Sequence, residues 1–158
     1  MDSFETLIAT IFQKRGYWTW QGFRVELTSE DKRAIGTPSM PRTEIDILAY
    51  KPGTNELLWI ECKSYLDSYG VRASSFEATG DRDSVRYKVF TQANYRNVIT
   101  QRLITQVVDE GLTLNNPRVG YVLVAGKIYP KQAETLKKHF DDQHVSNWKL
   151  YGPDWIID

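Results

Sequence analysis

The sequence predicts an α/β fold in which a central mixed β-sheet is flanked by α-helices, and three observations carry that expectation. An amphipathic stripe opens the chain, with Phe4, Leu7, Ile8, Ile11 and Phe12 at the spacing of one helical face. Two apolar runs of strand length, 44–50 and 57–64, flank Lys51-Pro52-Gly53-Thr54-Asn55, whose Pro and Gly mark the connection of a hairpin. A long helical pattern over 84–110 then leads to a nearly continuous apolar run at 118–125, the kind buried on both faces of an α/β sheet.

In order, residues 3–15 form the first helix, capped by Ser3 or Asp2. Strand formers over 17–27 make the first strand, bent at Gly22, with Trp18 and Trp20 on one face. Paired tryptophans either stack on bases or pack on the first helix. Residues 28–42 are charged and hold Gly36, Pro38 and Pro41, so they read as a loop or mobile flap. The hairpin follows, then an irregular stretch, 64–83, that suits a binding loop. The long helix, capped by Asp83 or Ser84, ends at Gly111 and buries Val89, Phe90, Ala93, Thr100, Ile104, Val107 and Val108. A turn at 115–117, the apolar strand, a short helix from Pro130 to 140, a last strand at 145–151 and a packed Trp155-Ile156-Ile157 tail complete the order.

At 158 residues the chain fits one domain with a core of its own. Its 41% hydrophobic and 25% charged content is ordinary for a globular protein. No apolar run approaches the ~20 residues of a membrane span, and the acidic start is unlike a secretory signal, so a cytoplasmic protein with no membrane partner is expected. Cys62 is the only cysteine, which excludes an intrachain disulfide. His139 and His144, the only histidines, have no cysteine near them, which argues against zinc. Twenty basic and twenty acidic residues cancel, so a nucleic-acid surface would have to be local. Residues 84–108 offer one, with Arg86, Lys88, Arg96 and Arg102 and no acid; the same pattern also suits the solvated face of a helix.

The chemistry concentrates on the hairpin. Strict alternation puts Ile45, Ile47 and Ala49 on one side and Glu44, Asp46 and Leu48 on the other; Leu58, Ile60 and Cys62 likewise oppose Trp59, Glu61 and Lys63. If the charged sets share a face, Asp46, Glu61 and Lys63 converge where the strands leave the core. Two carboxylates and an ammonium there can hold a hard divalent cation with a water beside it, the needs of phosphodiester hydrolysis. An acid-x-Lys on a half-exposed strand also arises simply as a solvated face.

These residues resemble the motif of the PD-(D/E)XK nuclease superfamily, with Asp46 as its aspartate and Glu61-Cys62-Lys63 as its E-x-K. Ile45 stands where the motif's name has proline, a position that supplies no ligand. In order of elements the resemblance runs from the first helix to about the fourth strand. It implies a restriction-endonuclease-like core, and a nuclease using Mg²⁺, with Mn²⁺ as substitute, on nucleic acid, DNA rather than RNA. Asp46, Glu61 and the main-chain carbonyl of Cys62 would hold the ion, and Lys63 would orient the attacking water. Glu5, on the rim of the first helix's stripe, matches a glutamate that completes such sites, although a first-turn acid also complements the helix dipole. Related families carry a glutamine on the helix after E-x-K; Gln92 and Gln101 lie on opposite rims of the stripe, and Gln92, with Arg96 one turn on, is the candidate. A second copy of the chain or a partner protein would supply specificity. A nuclease-like fold that binds nucleic acid or protein without cutting is the other reading.

Overall fold

The computed structural model of the chain describes residues 2–37, 39, 43–65, 68–76, 86–143 and 147–158. Helix α1 (Ser3–Lys14) starts where Asp2 accepts the Glu5 amide at 2.8 Å, the side-chain cap its sequence promised. Strand β1 (Trp18–Val25) follows, then β2 (Thr43–Lys51) and β3 (Glu56–Lys63), the last two joined by a 3₁₀ turn over Pro52–Thr54. Asn55 closes that turn at φ 52°, a left-handed conformation that asparagine tolerates. Its amide then donates to the Asn115 carbonyl at 2.9 Å, tying the hairpin end to the start of the fourth strand.

Five strands form one mixed sheet in chain order, with β4 (Arg118–Ala125) and β5 (Trp148–Tyr151) completing it. β1, β2 and β3 are antiparallel, whereas β3, β4 and β5 are parallel. The parallel pairs need crossovers. Helices α3 (Lys88–Thr91) and α4 (Ala93–Asp109) lie on the first, and α5 (Ala133–Asp141) on the second. Each face of the sheet has its own core. Ile8, Ala9 and Phe12 of α1 cover Ile47, Ala49, Leu58, Ile60, Val122 and Val124, joined by Trp155 and Ile156 of the terminal helix α6 (Pro153–Ile157). On the other face Ile99, Leu103 and Val107 of α4, with Leu136 and Phe140 of α5, cover Leu48, Tyr50, Leu57, Trp59 and Leu123.

Several expectations change. Part of the supposed flap is a helix, α2 (Ser29–Ala34), with a complete capping box between Thr28 and Asp31. Arg102 of α4 holds it through a 2.8 Å ion pair to Asp31. The long helix is two pieces, broken at Gln92, whose φ of −123° and ψ of 95° are those of extended chain. Its proposed caps, Asp83 and Ser84, lie outside the described residues. Of its proposed stripe, Ala93 is exposed, and Ile99 and Leu103 are buried instead, because the break resets the helical phase. Trp20 packs on the α4 side of the sheet and Trp18 is 61% exposed, so neither covers α1; Thr19 and Gln21 face that helix, accepting hydrogen bonds from Gln13 and Thr6 respectively.

The sheet also departs from strict alternation at one place. Ile45 joins the α4-side core, as do Leu48 and Tyr50, while Ile47 and Ala49 join the α1-side core. Face parity therefore reverses between Ile45 and Ile47. β1 reverses opposite it, since Trp20 and Phe23 both meet the α4-side core. Register is unbroken from Gln21↔Ile47 to Phe23↔Ile45, and the pair left out of the ladder is Gly22 and Asp46. Gly22 makes the reversal feasible, because its φ of +63° is open to glycine and costly to residues with a Cβ.

Candidate active site

The parity break sets Asp46 apart. β2 pairs with β3 only as far as Ile47↔Ile60, whereas β3 stays paired with β4 through Lys63↔Ala125. Glu61, Cys62 and Lys63 thus outrun β2 and leave backbone groups open on that side. Asp46 Oδ2 fills the place of the missing strand, accepting the Cys62 N–H at 2.8 Å. Its carboxylate lies along the sheet, toward β3, instead of standing on either face. A buried N–H left without an acceptor would cost about 1–3 kcal/mol, so this bond positions Asp46 firmly. In a strand the N–H and C=O of one residue point the same way, so the Cys62 carbonyl also faces the gap that Asp46 enters.

Glu61 meets Asp46 there. Their carboxyl groups lie within hydrogen-bonding reach, and Glu61 Oε1 accepts the Trp59 indole N–H at 2.7 Å. Burial raises the Glu61 pKa most, the Asp46 charge raises it further, and the Trp59 bond and the Lys63 ammonium pull the other way. The net effect holds its proton well above the usual carboxylate range. Glu5 reaches the same group from α1: its pKa is raised by burial and then by Asp46. The Cys62 thiol, buried on the α1 side, is raised by desolvation and by the fields of Asp46, Glu5 and Glu61 in turn. It is core filler, not a nucleophile.

Lys63 continues the Glu61 face, and its Nζ stands 5.8 Å from the centre of the Tyr87 ring. A cleft of about 230 Å³ opens over this face, lined by Glu44, Trp59, Glu61, Arg86, Lys88 and Tyr95, among others. Tyr95 lies close enough that Glu61 raises its pKa, though burial is the larger cause. Tyr87 and Tyr95 are absent from the sequence-derived set. A tyrosine on an amphipathic helix gives no signal of facing a site, and the break at Gln92 changes which residues do.

Asp46, Glu61, Lys63 and Glu5 therefore come together, with Asp46 between the acids of the two layers. Gln92 does not join them: it is an exposed residue at the helix break, and Gln101 is exposed on α4. The basic stretch is largely absorbed by the fold. Arg96 donates to the Val89 carbonyl at 2.8 Å and lies 5.1 Å from the Trp148 ring centre, and Arg102 pairs with Asp31. Arg86 and Lys88 are the members at the cleft.

A hard cation fits this donor set in part. Asp46 and Glu61 are pressed together against their mutual repulsion, and each retains one oxygen beyond its bond to Cys62 or Trp59. With the Cys62 carbonyl they make three oxygen donors, suited to Mg²⁺. Among the described residues, however, no group of three or more His, Cys, Asp or Glu side chains forms a complete metal cage. The same residues include no helix long and apolar enough to cross a membrane. Comparison with family models, with curated proteins and with solved structures finds no match to the chain.

Proposed function

We propose that the chain is a Mg²⁺-dependent nuclease with a restriction-endonuclease-like core, hydrolysing phosphodiester bonds in DNA. The observation that carries this reading is the contact between the Asp46 and Glu61 carboxyl groups at the point where β2 leaves β3, with Lys63 next along the same face. The membership and the choice of DNA rest on the resemblance of Asp46 and Glu61-Cys62-Lys63 to the PD-(D/E)XK motif.

Asp46, Glu61 and the Cys62 carbonyl would hold the ion, which would supply positive charge beside the phosphate and lower the pKa of a nearby water. Lys63 orients that water and offsets the negative charge that gathers on the phosphate oxygens. Glu5, its carboxyl raised toward protonation by burial and Asp46, positions the water from the other layer. Trp59 holds Glu61 in one rotamer. As the water oxygen bonds to phosphorus it releases a proton to solvent, the ester P–O bond breaks, and the leaving oxygen takes a proton from solvent. Hydrolysis of such bonds requires well over ~8 kcal/mol of barrier lowering, more than any one of these groups provides.

One observation favours a second reading, a nucleic-acid-binding module that does not cut. Asp46 Oδ2 and Glu61 Oε1 already have internal partners, and those bonds would hold the hairpin end without a metal. A plasmid and oligonucleotide assay with Mg²⁺ or Mn²⁺, an EDTA control and gel retardation separates the two. Cleavage by the wild type that is lost in EDTA and in Lys63→Ala supports the nuclease; retardation without cleavage in either metal supports the binding module. DNA and RNA run in parallel decide the substrate, and sedimentation with and without DNA reports a homodimer.

A further inference from the structure

Beyond Tyr87 lies a second pocket, of about 270 Å³, and Tyr87 and Arg86 line both. The two cavities therefore adjoin at these residues, with Glu61 lining the first. The second has different chemistry. Arg72, Arg86, Ser68 and three tyrosines, Tyr65, Tyr69 and Tyr87, line it, and among the described residues no acid does.

Its wall is firmly built. Val71 bridges to Ile128, with Val71 N–H donating to the Lys127 carbonyl and Tyr129 N–H to the Val71 carbonyl, each at 2.9 Å. Gly70, at φ +94°, passes so near the Lys127 carbonyl that a Cβ there would lie 2.8 Å from its oxygen. On this wall Arg72 lies against two rings, its guanidinium carbon 4.9 Å from the Tyr129 centre and 5.4 Å from that of Tyr69. Stacked guanidinium keeps its edge N–H donors for an anion. Tyr69 itself is 71% exposed, and its ring stands nearly perpendicular to that of Tyr129. An exposed aromatic face beside a fixed arginine is the pairing that single-stranded nucleic-acid sites use: a base on the ring, its phosphate on the cation.

We propose that this pocket is a nucleotide subsite, where Arg72 takes a backbone phosphate neighbouring the one at Glu61 and Tyr69 stacks the unpaired base attached to it. A paired base cannot turn its face to Tyr69, so the subsite selects single strands or frayed ends. The cavity lies near the ~300 Å³ lower end of ligand pockets, which suits one nucleotide unit. The ligand class rests on the phosphodiesterase reading; the geometry of the pocket does not.

The test is fluorescence anisotropy of a labelled single-stranded DNA oligonucleotide and of its blunt duplex, in EDTA, against wild type, Tyr69→Ala and Arg72→Ala. Tyr69→Ala is expected to weaken single-strand binding by about 5- to 150-fold, the size of one lost base stack, with the duplex changed less than about twofold. Arg72→Ala is expected to lower the salt slope for the single strand by about 0.7, the value of one phosphate contact. Circular dichroism checks the fold of both; should Arg72→Ala unfold, the exposed Tyr69 still decides. Wild-type failure to bind the single strand, or unchanged binding by Tyr69→Ala, overturns the subsite. Cleavage assays on the same strands keep the two proposals apart. Loss of stacking without cleavage in either metal leaves the subsite standing and removes hydrolysis, whereas cleavage with an unaltered Tyr69→Ala does the reverse.

Discussion

Trp59 donates its indole N–H to Glu61 Oε1 across 2.7 Å, from two residues earlier on the same strand. Residues two apart on a strand share a face, so the bond needs no turn of the chain. Trp59 is 1% exposed and packs tilted against Tyr121, with ring centres 6.1 Å apart. The orientation of a site carboxyl is therefore set by a core side chain that cannot rotate. Trp59→Phe keeps most of the ring volume and removes the donor. Mn²⁺ affinity is expected to fall about 10- to 100-fold, the usual effect of losing a partner that orients a ligand. Calorimetric titration measures it, and unchanged affinity would mean that Glu61 is not a ligand.

Asp46 has two tasks that substitution can separate. Asp46→Asn retains a carbonyl oxygen for the Cys62 N–H, so its stability should stay near that of wild type while cleavage is lost. Asp46→Ala leaves that N–H unpaired and is expected to lose about 1–3 kcal/mol by urea unfolding. Equal stability of the two variants would show that the bond to Cys62 contributes nothing.

The raised Glu61 pKa has a signed consequence for stability. The folded chain holds this proton more tightly than the unfolded chain, so stability is greatest below the unfolded carboxylate value. It declines as pH rises through the folded value and levels off beyond it. One such group gives a slope of at most about 1.4 kcal/mol per pH unit. Glu61→Gln removes that slope, so in EDTA its melting temperature should gain on wild type from about pH 5 to about pH 9. Parallel curves would place the Glu61 proton elsewhere.

Gly22 carries the bend in β1 at a φ of +63°. An added Cβ would stand 3.2 Å from Glu44 Oε1, a side chain able to move, but the φ of +63° is fixed by the parity break. Gly22→Ala is expected to destabilise by about 1–2 kcal/mol, the cost of a left-handed residue. Cleavage should fall as well, because the reversal at Gly22 is what aims Asp46 along the sheet. A variant as stable and active as wild type would mean that the strands make this bend without glycine.

Much of the architecture could be read from local pattern. The stripe of Phe4, Ile8, Ile11 and Phe12, the hairpin with its Pro52-Gly53 turn and the apolar run of β4 follow their periodicity, because a two- or 3.6-residue repeat allows one face to be dry; the exceptions are Leu7, which is exposed while Ala9 is buried, and Ile45, which lies across the sheet from Ile47. The α/β class and the helix-flanked mixed sheet follow from their order. Short helix α2 was hidden among loop residues, although Thr28 and Asp31 spell its capping box. An unbroken helix would carry Gln92 toward the site, and a single extended residue there changes which residues lie over the sheet.

For the candidate site, sequence alone named the residues proposed: an acid on one strand, an acid and a lysine two apart on the next, and a glutamate on the opening helix. Their common location was tertiary. Strict alternation would stand Asp46 on one face of the sheet; the reversal at Gly22 and Asp46 instead lays it in the gap beyond Ile47, where the Cys62 N–H needs an acceptor. Tyr87, Tyr95 and the Arg72 pocket emerged only once the chain was folded, since no spacing along the sequence brings the loop after Lys63 and the segment before α4 to one groove. Local order decides which face a side chain occupies. Long-range packing decides which side chains share its water and its charge.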